Sequence, residues 1–237
     1  MPQVEYTDYY SHILGRKINI QVTGHFGHPI IMFPTSQGSL TQNSDFHLNG
    51  SIDHFTDSGK VKLFNLETLD KENFYNDNIS PQERIWRYEN YVQFLIREYI
   101  PFIQKTHQVH RVAIAGCSFG AYHATNFAFR YPDVISHLIA MSGAFSIRNF
   151  MDGFSNDTVY FNCPEEFMWD DASWKFGHMH IVLSTSDQDV CLDKNIRMSN
   201  ILRSKGINHW YDEAKWINHD WPLWRMVFPK FISAYFS

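Results

Sequence analysis

Short apolar runs alternate along the chain with longer segments in which apolar and polar positions follow helical spacing. The run at 30–33 (IIMF) contains no polar position, which is typical of a strand buried on both faces of a parallel sheet. Residues 111–116 (RVAIAG), 138–143 and 178–186 predict three further strands. This alternation predicts an α/β fold in which helices cover a central sheet.

The clearest predicted helix begins at Ser80. Its first residues, SPQE, place a capping serine before Pro81 and set Glu83 to reach back in a capping box. Apolar residues then recur at helical spacing as far as Ile103, with Pro101 as the expected position of a kink. We expect this helix to pack on the sheet.

The last quarter of the chain predicts a helix, a strand and a second helix. Residues 192–206 have helical periodicity, with Asp193 as the expected N-cap and Gly206 as the stop. Residues 208–216 then predict a strand, and 221–236 predict the closing helix.

Composition favours one compact domain over residues 1–237. The chain has 237 residues, of which 44% are hydrophobic and 19% charged, enough for a packed interior without a disorder signature. Residues 145–177 show no sustained period and are rich in aromatic residues. We expect that segment to be a lid or roof over the sheet.

Charge and cysteine content exclude several classes of protein. The net charge of −5, without a basic run, argues against a nucleic-acid partner. The three cysteines (Cys117, Cys163 and Cys191) lie far apart, which argues against a disulfide framework or a thiolate zinc site. No signal peptide and no apolar run of about 18 residues is visible, so we expect a soluble cytoplasmic protein without a membrane partner.

Two pairs of histidines are close in sequence, His25 with His28 and His178 with His180. Neither pair has a carboxylate or a third histidine at a supporting spacing, so we expect no metal site.

The motif Gly116-Cys117-Ser118-Phe119-Gly120 fits the pattern G-x-S-x-G between a predicted strand and a predicted helix. A turn this tight needs small residues two positions before and after the central serine. It lifts the serine hydroxyl above the sheet edge at a helix N-terminus. The pattern therefore predicts a nucleophile elbow with Ser118 as the nucleophile.

A serine nucleophile needs a base that a carboxylate orients. Of the six histidines after Ser118, only His219 falls in a loop between the last strand and the last helix, so we expect it to be the general base. Asp187 and Asp189 both follow the strand at 178–186, and spacing alone does not separate them as the acid.

An oxyanion hole needs two backbone N–H groups, one from the residue after the nucleophile and one from an earlier loop. The first is Phe119. In the loop at 34–38 (PTSQG) we expect the second from Ser36, with Gln37 as the competitor. The alternative is that Thr35, Ser36 and Gln37 are ordinary loop residues.

Four segments carry a resemblance to a known family. They are GCSFGAYHATNFAFRYPD at 116–133, FPTSQG at 33–38, SDQDVCLDKN at 186–195 and NHDWPLWR at 218–225. In these segments the chain resembles the putative-esterase family of α/β hydrolases, which includes esterase D-like enzymes.

The resemblance implies an α/β-hydrolase three-layer sandwich, with a mostly parallel sheet and helices on both faces. It implies hydrolysis of a carboxylic ester or thioester through an acyl-enzyme, without metal or cofactor. It also selects Asp189 over Asp187 as the acid. The loop at 34–38 lacks an HGG-type motif. The resemblance therefore implies a fold and a type of reaction but does not identify the substrate.

Our leading hypothesis is a serine esterase that acts on a small-molecule ester. One alternative is an acyltransferase, in which a hydroxyl acceptor outcompetes water at the acyl-enzyme. Another is a catalytically silent binding module, against which the intact set of Ser118, Asp189 and His219 argues. The sequence leaves the oligomeric state open.

Aromatic residues make up 16% of the chain, and six of its seven tryptophans follow residue 168. We expect Trp221 and Trp224 to anchor the loop of His219 by packing. Trp169 and Trp174 fall in the expected roof and are candidate substrate contacts, together with Gln37.

Overall fold

An eight-stranded sheet forms the centre of the molecule within residues 3–237, the part of the chain that the computed structural model describes. The strands are β1 (Val4–Ser11), β2 (Arg16–Thr23), β3 (His28–Phe33), β4 (Val61–Leu66), β5 (Val112–Cys117), β6 (Ile135–Met141), β7 (His180–Gln188) and β8 (Trp210–Asn218). Their order is β1-β2-β4-β3-β5-β6-β7-β8. The pairs β1/β2 and β2/β4 are antiparallel, and all the others are parallel. The predicted mostly parallel sheet is confirmed.

Nine α-helices surround the sheet in the described range. They are α1 (Gln42–Asp45), α2 (Asp53–Asp57), α3 (Pro81–Phe94), α4 (Ile100–His107), α5 (Phe119–Arg130), α6 (Asp157–Tyr160), α7 (Pro164–Phe167), α8 (Leu192–Ser204) and α9 (Trp221–Phe236). None of the helices within residues 3–237 is both long enough and apolar enough to cross a bilayer.

The helix ends test three of the sequence predictions. Ser80 caps α3 as expected, because its Oγ accepts the Glu83 N–H at 3.2 Å. The helix is irregular before Pro101, the expected position of a kink. A π-helical turn at Leu95–Tyr99 joins α3 to α4, and Pro101 lies in the first turn of α4. Asp193 does not cap α8. It lies within the first turn, and its side chain makes no cap hydrogen bond.

Both faces of the sheet are buried, and β3 shows how the sequence encodes this. Ile31 and Phe33 join the core between the sheet and helices α3, α4 and α5, whereas Ile30 and Met32 join the core beneath α9. Alternate side chains of one strand therefore serve two hydrophobic cores. The continuous apolar run IIMF is the sequence signature of that three-layer arrangement.

The carboxyl ends of the parallel strands meet at one edge of the sheet. Residues 34–38 follow β3, Ser118 follows β5, Asp189 follows β7 and His219 follows β8. Open α/β sheets bind their ligands in the crevice outside this edge. The topology therefore gathers residues from four distant parts of the chain.

Residues 145–177 begin at this edge and then run to the opposite end of the molecule. The Phe150 ring lies 5.4 Å from that of Phe119, beside Ser118. Further along, a cavity of about 650 Å³ lies between this segment and Arg130, the last residue of α5. We therefore propose a covering role over Ser118 for the first part of the segment alone.

Candidate active site

Ser118 sits at a tight turn between β5 and α5. Its backbone has φ 55° and ψ −119°, a conformation that non-glycine residues seldom adopt. A Cβ at Gly116 would lie 2.3 Å from the carbonyl carbon of Gly120, and one at Gly120 would lie 2.4 Å from the carbonyl oxygen of Pro34. Glycine is needed at both positions because backbone approaches backbone there. The G-x-S-x-G motif thus forms the expected elbow geometry.

A chain of hydrogen bonds joins Ser118, His219 and Asp189. Ser118 Oγ lies 2.9 Å from His219 Nε2, and His219 Nδ1 lies 2.7 Å from Asp189 Oδ1. In the neutral imidazole with its proton on Nδ1, His219 donates to the carboxylate and accepts the serine hydroxyl. His219 lies in the two-residue connection between β8 and α9, where the sequence placed it.

The electrostatic interactions of Asp189 and His219 favour the charged form of each side chain. Burial raises the pKa of Asp189, but the hydrogen bonds from His219 and the Cys191 N–H, together with the nearby Ser142 hydroxyl, lower it by more, so the net pKa is lowered. Burial lowers the pKa of His219, but interactions with Asp189 and Cys191 outweigh it and raise the pKa to about 9. The site therefore stabilises an imidazolium, the form that a histidine base takes after removing a proton.

Asp187, the alternative acid, is bound elsewhere. Its Oδ1 accepts the backbone N–H of Trp216 at 2.8 Å. Trp216 has φ 62° and lies where the β7/β8 pairing shifts register. The structure brings Asp189 and not Asp187 to His219, an arrangement that the sequence pattern alone left open.

Most backbone N–H groups of the loop after β3 already have acceptors within the molecule. Three donate in this way: Thr35 to Gln42 Oε1 (2.9 Å), Gln37 to Asp70 Oδ2 (3.1 Å) and Gly38 to the Thr35 carbonyl (2.9 Å). Pro34 has no N–H. Within residues 3–237 the structure gives no acceptor for the N–H of Ser36 or of Phe119. These two groups are free to bind an oxyanion, and Gln37, the competitor, is not.

The packing expected of Trp221 and Trp224 is confirmed. The Trp224 ring meets the His219 ring edge-on at 5.2 Å and 87°, and Trp221 lies edge-on to Trp224 at 5.0 Å. The Trp224 indole N–H also donates to Ser142 Oγ at 2.8 Å. Because the Ser142 hydroxyl lies close to Asp189, α9 packs directly against His219 and, through Ser142, lies near Asp189 as well.

Trp169 and Trp174 lie away from this edge. The Trp169 carbonyl accepts Lys205, which follows the last turn of α8, at 2.6 Å. Trp174 belongs to a short turn packed against Pro132–Val134, just before the start of β6. Both positions are at the amino ends of the strands, opposite Ser118. This placement corrects the expectation that these two tryptophans contact the substrate.

Sequence reasoning missed the buried pair formed by Asp70 and His123. His123 Nε2 lies 3.0 Å from Asp70 Oδ1, and both side chains are almost fully buried. Asp70 sits in a polar loop after β4 among several similar residues, so nothing in the pattern marks it. His123 was visible only as a histidine within a helix.

Cys117, the neighbour of Ser118 in sequence, adds no second nucleophile. Cys117 is fully buried, and burial raises the pKa of its thiol well above the usual range. In residues 3–237 one group of three metal-ligating side chains has its ligand atoms within 4.8 Å of one another: Asp189, Cys191 and His219. Because two of them already form the hydrogen-bonded pair described above, the group belongs to the same site.

One known protein family matches most of the chain. The family described as "Putative esterase" matches residues 66–230. No curated protein matches the chain.

Solved structures with low sequence identity share the fold. A ferulic acid esterase is 19% identical with a TM-score of 0.75, over 98% of this chain and 96% of that chain. The S-formylglutathione hydrolase FrmB of Staphylococcus aureus is 14% identical with a TM-score of 0.71, over 99% and 96%. MPT51 of Mycobacterium tuberculosis is 12% identical with a TM-score of 0.76, over 98% and 97%. These neighbours establish the α/β-hydrolase fold, and the family match shows that the chain belongs to the "Putative esterase" family and is a carboxylic ester hydrolase.

Proposed function

We propose that this chain hydrolyses small-molecule carboxylic esters or thioesters through an acyl-enzyme formed on Ser118. The observation that carries the proposal is the continuous chain from Ser118 Oγ to His219 Nε2 (2.9 Å) and from His219 Nδ1 to Asp189 Oδ1 (2.7 Å). This is the arrangement of nucleophile, general base and orienting acid that ester hydrolysis by a serine nucleophile requires.

In the acylation step, Ser118 Oγ attacks the ester carbonyl carbon while His219 Nε2 removes the hydroxyl proton. Asp189 holds the imidazole in the correct tautomer and stabilises the imidazolium. The tetrahedral intermediate collapses as the bond to the leaving oxygen or sulfur breaks, and His219 gives that group its proton. The acyl group remains on Ser118.

In the deacylation step, water takes the place of the serine hydroxyl. His219 removes a proton from the attacking water, a second tetrahedral intermediate forms, and its collapse returns the proton to Ser118 Oγ as the acid departs. In both steps the developing oxyanion accepts hydrogen bonds from the N–H groups of Phe119 and Ser36. Losing one such donor costs about 10²- to 10³-fold in kcat.

Two substrate classes follow from the names of the structural neighbours. One neighbour is a ferulic acid esterase, and others are S-formylglutathione hydrolases. We therefore propose testing aromatic-acid oxygen esters beside S-acyl thioesters. A ratio of kcat/KM values between these classes decides the acyl and leaving-group preference.

We also propose that the enzyme works in the cytoplasm. All three cysteines are free and buried, which suits a reducing compartment. Fractionation of cells that express a tagged chain tests this location.

The decisive experiment compares Ser118→Ala with the unchanged protein in turnover of a p-nitrophenyl short-chain ester. We expect a loss of several orders of magnitude, and mass spectrometry should place a fluorophosphonate adduct on Ser118. Ser39→Ala is the matched control, because Ser39 is exposed and, among the described residues, its hydroxyl hydrogen-bonds only to that of Thr41. Full turnover by a folded Ser118→Ala protein would overturn the proposal.

A further inference from the structure

We propose that Asp70 and His123 form a positioning pair that fixes both N–H donors of the oxyanion hole. The inference rests on the proposed function, because it assigns a role in that same site. Neither residue reaches Ser118. They act through the loop after β3 and through the first turn of α5.

Asp70 holds the loop. One carboxylate oxygen, Oδ2, accepts the Gln37 N–H at 3.1 Å, and the other, Oδ1, lies 3.0 Å from His123 Nε2. Gln37 has φ 54°, a left-handed conformation that a glutamine seldom adopts without an external partner. The carboxylate is thus the partner that keeps the loop in this conformation.

Fixing Gln37 also fixes Ser36. The N–H of Thr35 is bound by Gln42 on one side, and the N–H of Gln37 is bound by Asp70 on the other. Peptide units are planar, so two anchored neighbours leave the intervening Ser36 N–H little freedom of direction. Tyr75, whose backbone N–H donates to the Asp70 carbonyl, also has its side chain close to that of Ser36.

His123 connects the same carboxylate to the elbow. It lies on α5 four residues after Phe119, and the two rings meet edge-on at 4.8 Å and 72°. Its other ring nitrogen, Nδ1, lies 3.3 Å from the Tyr88 hydroxyl, so the imidazole is held from both sides. The pair therefore ties the Ser36 side of the hole to the Phe119 side.

Burial argues that the pair has a role beyond stability. Asp70 and His123 are each 2% exposed and lie among aromatic rings, which include those of Phe33 and Phe119. Ionisable groups are costly to bury, and apolar side chains of similar volume often stabilise a core as well or better. What an apolar pair lacks is an acceptor for the Gln37 N–H.

The test measures kcat and KM for Asp70→Ala, Asp70→Asn and His123→Gln with the p-nitrophenyl ester. We expect Asp70→Ala to lower kcat about 10- to 100-fold, because a misplaced N–H donor stabilises the transition state much less. We expect KM to change less than about threefold. Asp70→Asn keeps an oxygen for the Gln37 N–H and should recover part of the rate. The rate constant of fluorophosphonate labelling should fall in parallel with kcat, since that reaction also develops negative charge on oxygen.

Glu89→Gln is the matched control. Glu89 is a partly buried carboxylate in a neighbouring network with Arg130 and Asn162, and within residues 3–237 it makes no hydrogen bond with the loop or with Phe119. We expect it to lower thermal stability and leave kcat unchanged. Full kcat in folded Asp70→Ala would overturn the inference, as would a fall that Asp70→Asn does not partly restore.

His123→Gln keeps the inference falsifiable should Asp70→Ala fail to fold. Its amide can still donate to Asp70, so we expect a folded protein with a smaller loss of kcat, and an unchanged kcat would overturn the inference. The proposed function fails separately, when Ser118→Ala keeps its turnover. If Ser118→Ala is inactive while the Asp70 and His123 variants are fully active, only the positioning role is lost.

Discussion

The Nδ1 atom of His219 lies 2.7 Å from the Oδ1 atom of Asp189. Asp187, two residues earlier, instead accepts the backbone N–H of Trp216 at 2.8 Å. Two acids at the end of the same strand therefore have different partners. Asp189 binds the imidazole of His219, and Asp187 binds the backbone of β8.

The first prediction compares these two acids. Asp189→Asn should lower kcat about 10³- to 10⁴-fold, because an amide favours the wrong imidazole tautomer and does not stabilise the imidazolium. Asp187→Asn keeps an oxygen for the Trp216 N–H and should lower kcat less than about tenfold. Steady-state kinetics on both purified variants makes the comparison, and equal losses would contradict the assignment of Asp189.

The second prediction concerns pH. His219 acts as a base only when neutral, and its pKa is raised from 6.5 to about 9. Activity should therefore be lost as the pH falls through that raised pKa, and kcat/KM should still be rising above pH 7. In Asp189→Asn the charged partner that contributes most to raising the His219 pKa is gone, so the midpoint of the residual activity should move to lower pH. A profile of kcat/KM against pH for the two proteins measures this shift, and identical midpoints would refute it.

The third prediction concerns the glycines of the elbow. Gly120→Ala places a Cβ 2.4 Å from the Pro34 carbonyl oxygen, so backbone must move. We expect a loss of about 1 to 3 kcal/mol in the free energy of unfolding, measured by urea denaturation. Gly177→Ala is the control, because the nearest atom to its added Cβ is 3.7 Å away. It should change stability by less than about 0.5 kcal/mol.

The fourth prediction concerns the support behind the acid. Trp224→Phe keeps an aromatic ring against His219 but removes the indole N–H that donates to Ser142 Oγ. We expect kcat to fall about 3- to 10-fold with the fold retained, because Asp189 is held less firmly. Trp174→Phe, at an 80% exposed position on the opposite edge, should leave kcat unchanged. Equal changes of kcat in the two variants would contradict the proposal that the Trp224 N–H helps to hold Asp189 in place through Ser142.

The sequence predicted those parts of the fold and site that depend on local chemistry. Apolar runs marked the buried strands, and Gly116 and Gly120 marked a turn where backbone crosses backbone. His219 was identifiable because it falls in the connection between two regular elements, and mobile connections at a sheet edge carry functional side chains.

The parts that sequence reasoning missed depend on contacts between distant segments. Asp187 and Asp189 differ only in which segment each faces, and spacing does not encode that. Trp169 and Trp174 were placed near Ser118 because the whole of 145–177 was expected to cover it, whereas the segment turns away after its first part. Asp70 and His123 are 53 residues apart, and only the tertiary fold pairs them.

Three backbone N–H groups, those of Thr35, Gln37 and Gly38, donate hydrogen bonds that hold the loop after β3 in place. Because side chains and backbone of the protein itself already hold this loop, the positions of its N–H groups are set before any substrate arrives. In the proposed mechanism, little reorganisation energy is then required when charge develops on the carbonyl oxygen, and the proposed donors would favour the transition state over the uncharged ester. The resting enzyme is in this sense preorganised, and covalent inhibitors should react with it in a single phase without a lag.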